Sequence, residues 1–264
     1  MRLSEQMKKA PLVGAFFVCA IFSLQAQALC PVSGPLSRVK VAAVIDGDTL
    51  RLADGRNVRL IGVNAPEMGR KGRSAEPFAD AARQRLQALV KASGGRLDLR
   101  LGQQARDHYG RLLAHAFNDR GENLEAVLLA EGLGFFVAIA PNSLLADCHR
   151  AVERQARSAG EGVWRQSPVI SSERLRRGGF ALVRARVDRL EVNRGGVWLE
   201  LDGPLVLQIP RDAVAGFDDS LKDLPGKEIE ARGWVVDRKG RANLSQQARW
   251  LLRISHPSML APLP

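Results

Sequence analysis

The run Val39-Lys40-Val41-Ala42-Ala43-Val44-Ile45-Asp46-Gly47-Asp48-Thr49-Leu50-Arg51-Leu52-Ala53-Asp54-Gly55-Arg56-Asn57-Val58-Arg59-Leu60-Ile61-Gly62-Val63 decides the fold. Apolar residues alternate or run on over about 39–46, 48–53 and 57–63, the pattern of short half-buried strands. Asp54-Gly55 between the last two marks a tight hairpin, so three strands follow one another as a meander. The polar residues that interrupt them are acidic and basic by turns: Asp46, Asp48, Arg59.

Downstream the period changes. Over 75–92, Phe78, Ala82, Leu86, Leu89 and Val90 recur at helical spacing, with Arg83, Arg85, Gln87 and Lys91 off that face. Gly94-Gly95 stops the helix, and strands resume at 96–101 and 111–117 around an Asp107-His108-Tyr109-Gly110-Arg111 turn. Shorter helices follow near 124–131 and 144–158. Strands first with helices packed at one end predict a small barrel with helical flanks.

Residues 167–179 hold Pro168, paired serines, Arg174, Arg176, Arg177 and paired glycines, a linker composition. Beyond them strands return at about 180–192, 196–201, 205–209, 227–236 and 242–252, with a short helix near 211–217. This is again small-barrel arithmetic, and 256–264 reads as a frayed tail. The expected division is therefore a leader at 1–28, a first domain at 29–166, a linker at 167–179, a second at 180–255 and the tail.

The first 28 residues have the form of a secretory signal. Arg2, Lys8 and Lys9 precede an apolar stretch at 12–24, and Ala26-Gln27-Ala28 is a small-x-small cleavage site, with cleavage after Ala28. The stretch is short for a membrane span, so stable insertion is not expected and the destination is periplasmic or extracellular. Cys30 follows Leu29, which is larger than a lipid-attachment box wants. Cys19 leaves with the leader, and in an oxidising compartment the remaining Cys30 and Cys148 are expected to pair. Subtracting the leader's net two positive charges from the formal +11 leaves +9, spread over both domains. That surplus suits a polyanionic partner but does not establish one.

Taken in order, Ile45-Asp46-Gly47-Asp48-Thr49, Val58-Arg59-Leu60-Ile61-Gly62-Val63, Pro66-Glu67 and Tyr109-Gly110-Arg111 resemble the staphylococcal nuclease (thermonuclease) family over about 39–164. Each fragment is ordinary alone; an acidic pair by a glycine is usually a turn, and a strand arginine is usually a rim ion pair. The ordered set is not ordinary. The resemblance implies an OB-fold barrel with helices, followed here by a second, OB-like barrel.

It also implies a nuclease acting on DNA, with RNA left open, that cleaves the bond to the 5′ oxygen and leaves a 3′-phosphate. Asp48, with Asp46 beside it, resembles the family's metal-binding acid, and calcium is the implied ion. Glu67 matches its water-directing carboxylate, Arg59 and Arg111 its phosphate-contacting arginines, and Tyr109 a residue beside the bound nucleotide. Asn64 and Ala65 stand where strong calcium binders carry an aspartate and a threonine, so one negative charge is missing and weaker metal binding is implied. Val137-Ala138-Ile139 replaces aromatics that clamp a nucleotide. These departures support a rival reading, a nucleic-acid-binding OB protein with weak or lost turnover; a further rival is an envelope module for acidic glycans or lipids. In the second domain Trp198, Trp234 and Trp250 lie among Arg194, Arg232 and Arg249, a pattern open to strand binding but more commonly core and edge packing.

Overall fold

The computed structural model describes residues 28–69, 72–239 and 248–263. The leader expected at 1–28 lies outside them except for Ala28. The meander forms as β1 (Ser37–Val44), β2 (Thr49–Leu52) and β3 (Asn57–Leu60), followed by the short β4 (Val63–Asn64). After α1 (Ala79–Ala92), strands β5 (Arg96–Arg106) and β6 (Leu112–Phe117) complete a closed barrel in the order β1-β2-β3-β6-β5. The β3–β6 pairing is parallel and the others are antiparallel. Leu50, Leu52, Val58, Leu60, Leu97, Leu99, Leu112 and Ala114 are buried inside, the alternate positions that a barrel interior takes.

α1 begins at Ala79 rather than at 75, because Pro77 holds the preceding chain extended and Phe78 takes a left-handed backbone (φ 70°). It buries Ala79, Ala82, Leu86, Leu89 and Val90. α2 (Leu124–Ala130) is capped by the Asn123 side chain, which accepts from the Ala126 amide. β7 (Phe135–Phe136) then pairs with β4, and α3 (Ala146–Ala159) packs on α2. Cys30 and Cys148 form a disulfide that ties the start of the described chain to the first turn of α3, across 118 residues of sequence. A loop of that length can contribute roughly 4 kcal/mol.

The second barrel repeats the plan. β9 (Gly179–Asn193), β10 (Gly196–Leu201), β11 (Leu205–Pro210), β12 (Glu228–Asp237) and β13 (Trp250–Arg253) close as β9-β10-β11-β13-β12, with β12 returning to pair with β9. The third and fifth strands, β11 and β13, are again the parallel pair. The molecule is mainly β, two closed five-strand OB-fold-like barrels with flanking helices.

Three expectations are corrected. The stretch expected as a linker contains β8 (Val169–Ser171) and a 3-10 turn (Ser172–Arg174), and β8 pairs in parallel with β9, so this segment is built into the second barrel's sheet. The tail is not frayed, since β14 (Leu260–Pro262) pairs with β12. The helix near 211–217 is only a 3-10 turn, Val214–Gly216. Of the strand expected at 242–252, residues up to 247 lie outside the described part and β13 starts at Trp250.

The barrels meet along α3 and β12. Arg232 Nη1 donates to Glu153 Oε2 at 2.6 Å, and Arg157 donates from both terminal nitrogens to Glu230 at 2.8 Å. Phe135 stacks against Phe180 with ring centroids 5.5 Å apart. Among the described residues no helix is long and apolar enough to cross a membrane.

Candidate active site

Between β1 and β2 the chain turns at Asp46, whose Oδ1 accepts the Asp48 amide at 3.1 Å. Gly47 sits at the apex because α1 leaves no room there; a Cβ would lie 2.5 Å from Ala65 Cβ and 2.7 Å from Ala82 Cβ. The turn delivers Asp48 into the barrel wall, 7% exposed. Its Oδ2 accepts the Ala65 amide at 2.8 Å and lies 3.0 Å from Arg59 Nη2, and its Oδ1 accepts the Thr49 hydroxyl at 3.1 Å.

Arg59 is fixed from β3. Thr49 is its antiparallel partner, so both side chains leave the same outer face. Its Nη1 donates to the carbonyls of Leu60 and Val63, each at 2.8 Å, and its Nη2 to Asn64 Oδ1 at 3.1 Å. One guanidinium therefore ties the β3–β4 bend to Asp48 and Asn64. Burial pushes the Asp48 carboxyl up to about 6, with Asp46 adding to the rise and Arg59 opposing it.

Arg111 comes from the adjoining strand. Arg59 is in register with Leu113 across the parallel pair, so Arg111, two residues earlier, projects from the same face as Arg59. Asp107 holds it: Oδ2 accepts Arg111 Nε at 2.7 Å, while Oδ1 accepts the amides of Tyr109 and Arg111. Burial alone would raise the Asp107 carboxyl, but the bonds from Arg111 and the two amides hold it below the usual range. The bond to Asp107 takes Arg111 Nε, and the side chain is 31% exposed. Tyr109 is exposed, its ring 3.7 Å from that of His108 and 5.5 Å from the Arg111 guanidinium.

Glu67 is exposed after the buried Pro66. Its backbone is tied twice to Glu76: its amide donates to Glu76 Oε2 at 3.0 Å, and its carbonyl accepts the Glu76 amide at 2.9 Å. Its carboxylate has no hydrogen bond to Asp48, Arg59 or Arg111 among the described residues; it shares with Asn64 a cavity of about 960 Å³. Asp46, Asp48, Arg59, Asn64 and Ala65 thus converge through direct contacts. Arg111 and Tyr109 stand on the neighbouring strand and turn, and Glu67 on the cavity wall.

Three contributors were given no role from the sequence, although Thr49 and Asp107 stand within the quoted motifs. Asp107 positions Arg111, and an acid four residues before an arginine across a Gly-containing turn was its signal. Thr49 and Glu76 had no such mark. Val137 and Ala138 are buried, whereas Ile139 is half exposed.

Among the described residues there is no group of three or more His, Cys, Asp or Glu side chains placed to hold a metal. The converging donors are two carboxylates and one amide oxygen. All-oxygen sets of this kind suit a hard divalent cation, although Asp48 Oδ2 and Asn64 Oδ1 already meet Arg59 Nη2.

Comparison with known proteins places the chain in a family. The model of the Staphylococcal nuclease homologue family matches residues 57–166. The chain is 31% identical over 141 residues to Endonuclease YncB of Bacillus subtilis (strain 168), covering 52% of this chain and 66% of that protein. It is 28% identical over 137 residues to the SPbeta prophage-derived endonuclease YokF of the same organism, covering 50% and 46%. It is 30% identical over 128 residues to the Thermonuclease of Staphylococcus hyicus, covering 47% of this chain and 74% of that one. The chain thus spans less than two thirds of the two Bacillus relatives. With a family match that takes in Arg59, Asn64, Glu67 and Arg111, on an OB-fold barrel, the chain belongs to the staphylococcal nuclease homologue family.

Proposed function

We propose that the protein is an exported nuclease that hydrolyses phosphodiester bonds in nucleic acid, DNA in the first instance. The observation that carries this reading is the buried Asp48–Arg59–Asn64 cluster with Arg111 projecting from the same barrel face. A buried acid bound to a partly buried arginine can serve structure alone, but a structural pair does not need a second, partly exposed arginine from the same face.

In this reading Glu67 accepts a proton from water as the water oxygen attacks phosphorus. The bond from phosphorus to the 5′ oxygen breaks, the leaving oxygen takes up a proton, and the products are a 3′-phosphate and a 5′-hydroxyl. Arg111 offers paired donors to the phosphoryl oxygens as their charge grows. Arg59 adds its fixed charge, and its bonds to Leu60, Val63 and Asn64 hold the bend on which Glu67 depends. Asp48, Asp46, the Asn64 side chain and the Ala65 carbonyl would hold a calcium ion, which would supply Lewis-acid polarisation of the phosphate. Export is supported by the character of residues 1–28 and by the Cys30–Cys148 disulfide, which suits an oxidising compartment.

The test is purified protein on single- and double-stranded DNA, with calcium or chelator, beside Glu67→Gln and Arg111→Ala. Each variant is expected to lower turnover by on the order of a hundredfold, and chelation to suppress it. Strand binding without scission in the parent protein would favour the rival binding-protein reading. Scission unchanged in both variants would put the chemistry elsewhere.

A further inference from the structure

The cavity that holds Asn64 and Glu67 has a second wall, and that wall belongs to the other barrel. Arg177, Gly178, Gly179, Phe180 and Trp234 line it. Trp234 is the partner of Phe180 across β12 and β9, their rings 5.2 Å apart and steeply inclined. Phe180 in turn packs on Phe135, and Phe135 on Trp164, each at 5.5 Å. This row of rings is half or fully buried at its first-barrel end and opens at Trp234, which is 39% exposed.

The tryptophans of the second barrel have separate fates. Trp250 is 2% exposed within the core, and Trp198 spends its indole N–H on Asn193. Trp234 alone of these three lines the cavity with Glu67. A cation stands close by: Arg177, 85% exposed, has its Nη2 3.9 Å from Glu76 Oε1, and Glu76 is the residue that ties down the Glu67 backbone. Gly178 and Gly179 complete that wall between Arg177 and Phe180.

We infer that the second barrel supplies a subsite for the unpaired strand on which the first barrel acts, with Trp234 stacking a base and Arg177 meeting a backbone phosphate. The inference rests on the nuclease reading above and names its substrate form. An exposed indole supported from behind by rings is a stacking platform that any base can use. Bases in a duplex already stack on their neighbours, so the platform is open only to an unpaired strand. A separate protein partner is disfavoured by position, because the platform opens into the same cavity as the water-directing carboxylate.

Two measurements test this. Binding of a fluorescein-labelled oligothymidylate of about a dozen nucleotides, followed by anisotropy in chelator, needs no turnover. Trp234→Ala is expected to weaken it about tenfold, within the range for loss of one stacked base, while Trp234→Phe restores most of the affinity. Arg177→Ala is expected to flatten the dependence of log affinity on log salt by about 0.7, the share of one single-strand phosphate. In calcium, kcat/KM for the same oligonucleotide, relative to that for a thymidine phosphodiester too short to cross the cavity, is expected to fall about tenfold in Trp234→Ala through KM. Unchanged oligonucleotide binding in folded Trp234→Ala and Arg177→Ala would overturn the subsite even if the enzyme cleaves. Binding lost as expected, in a parent protein that cleaves nothing, would instead overturn the nuclease reading and leave the subsite standing.

Discussion

The two barrels share a strand order and a parallel pairing of third and fifth strands, yet they place different chemistry at equivalent points. Arg59 lies in register with Thr49 and Leu113; the same position in the second barrel, between Glu200 and Leu251, is Val206. The ladder position of Asp48, opposite Leu60, is taken there by Leu199 opposite Leu207, both fully buried. The fifth strand tells a different story. Asp107 holds Arg111 just before β6, and Asp237 holds Arg249 just before β13, with Nη2 to Oδ2 at 2.7 Å. Each arginine also lies against an aromatic ring, Tyr109 in one barrel and Trp250 in the other. The acid–arginine pair at that turn is therefore common to both, and what sets the first barrel apart is a polar cluster where the second has apolar core. A fold supplies a frame, and the function lies in what is grafted on it.

The largest expected effect concerns whether the barrels are separable at all. Arg232 and Glu153 have side chains only 10% and 3% exposed, and Glu153 also accepts the Phe136 amide. Arg232→Ala would leave the Glu153 and Glu230 carboxylates without their buried partner, a loss of about 3–5 kcal/mol. Urea unfolding should show one transition in the parent protein and two in Arg232→Ala. Arg157→Ala should cost less, because its guanidinium is 40% exposed and water can solvate what remains. Two transitions in the parent protein would mean that the barrels are independent and the shared ion pairs incidental.

Next in size is the matched arginine pair. Arg111→Ala should lower DNA cleavage on the order of a hundredfold, whereas Arg249→Ala, with the same acid and the same kind of ring beside it, should leave cleavage unaffected. Steady-state kinetics on one substrate decides it. An equal loss in both would show that the acid–arginine turn supports barrel structure and that the cluster in β3 adds nothing to Arg111.

The first barrel was legible because its signals are local. Asp54-Gly55 closes a hairpin on the spot, and of the period over 78–90 the structure buries Ala82, Leu86, Leu89 and Val90 in α1, while Phe78 precedes the helix and is partly buried. Asp46, Asp48, Arg59, Glu67 and Arg111 stood out for the same reason, each beside a turn or a strand end. What was not legible depends on pairing over distance. Val169–Ser171 is too short to show a period and becomes a strand only against Leu182, Val183 and Arg184; Leu260–Pro262 does so against Ile229, Glu230 and Ala231. Trp234 and Trp250 sit among arginines in the same way, but register sends one outward and the other into the core. Residue type alone carries no such distinction.

Acid should act on groups of the two barrels in sequence, with the smallest of these effects. His149 is fully buried in α3, its Nε2 2.7 Å from Asn123 Oδ1 and its Nδ1 without a hydrogen-bond partner beside Gly62. The ring of His115 lies 5.5 Å away, with Glu125 beyond it at 3.4 Å from His115 Nδ1. Burial, with His115 adding to it, lowers the His149 pKa from 6.5 to about 3. The folded state therefore binds fewer protons than the unfolded one between those values, and stability falls as pH falls through that window by up to about 1.4 kcal/mol per unit. Glu230, in the second barrel, runs the other way: burial would raise its carboxyl, but the bonds from Arg157 and the charge of Arg232 hold it below 4.5, so its stabilisation is lost only below that pH. Between pH 6.5 and 5 His149 should cost about 2 kcal/mol, offset in part by the Asp48 carboxyl, which takes up a proton in the folded state over the same range, while Glu230 is not yet affected; the midpoint of the single urea transition reads the sum. His149→Gln should remove that loss and leave the rise from Asp48 even if it lowers stability at neutral pH, because glutamine does not titrate. A slope unchanged in His149→Gln would assign the acid response to another group.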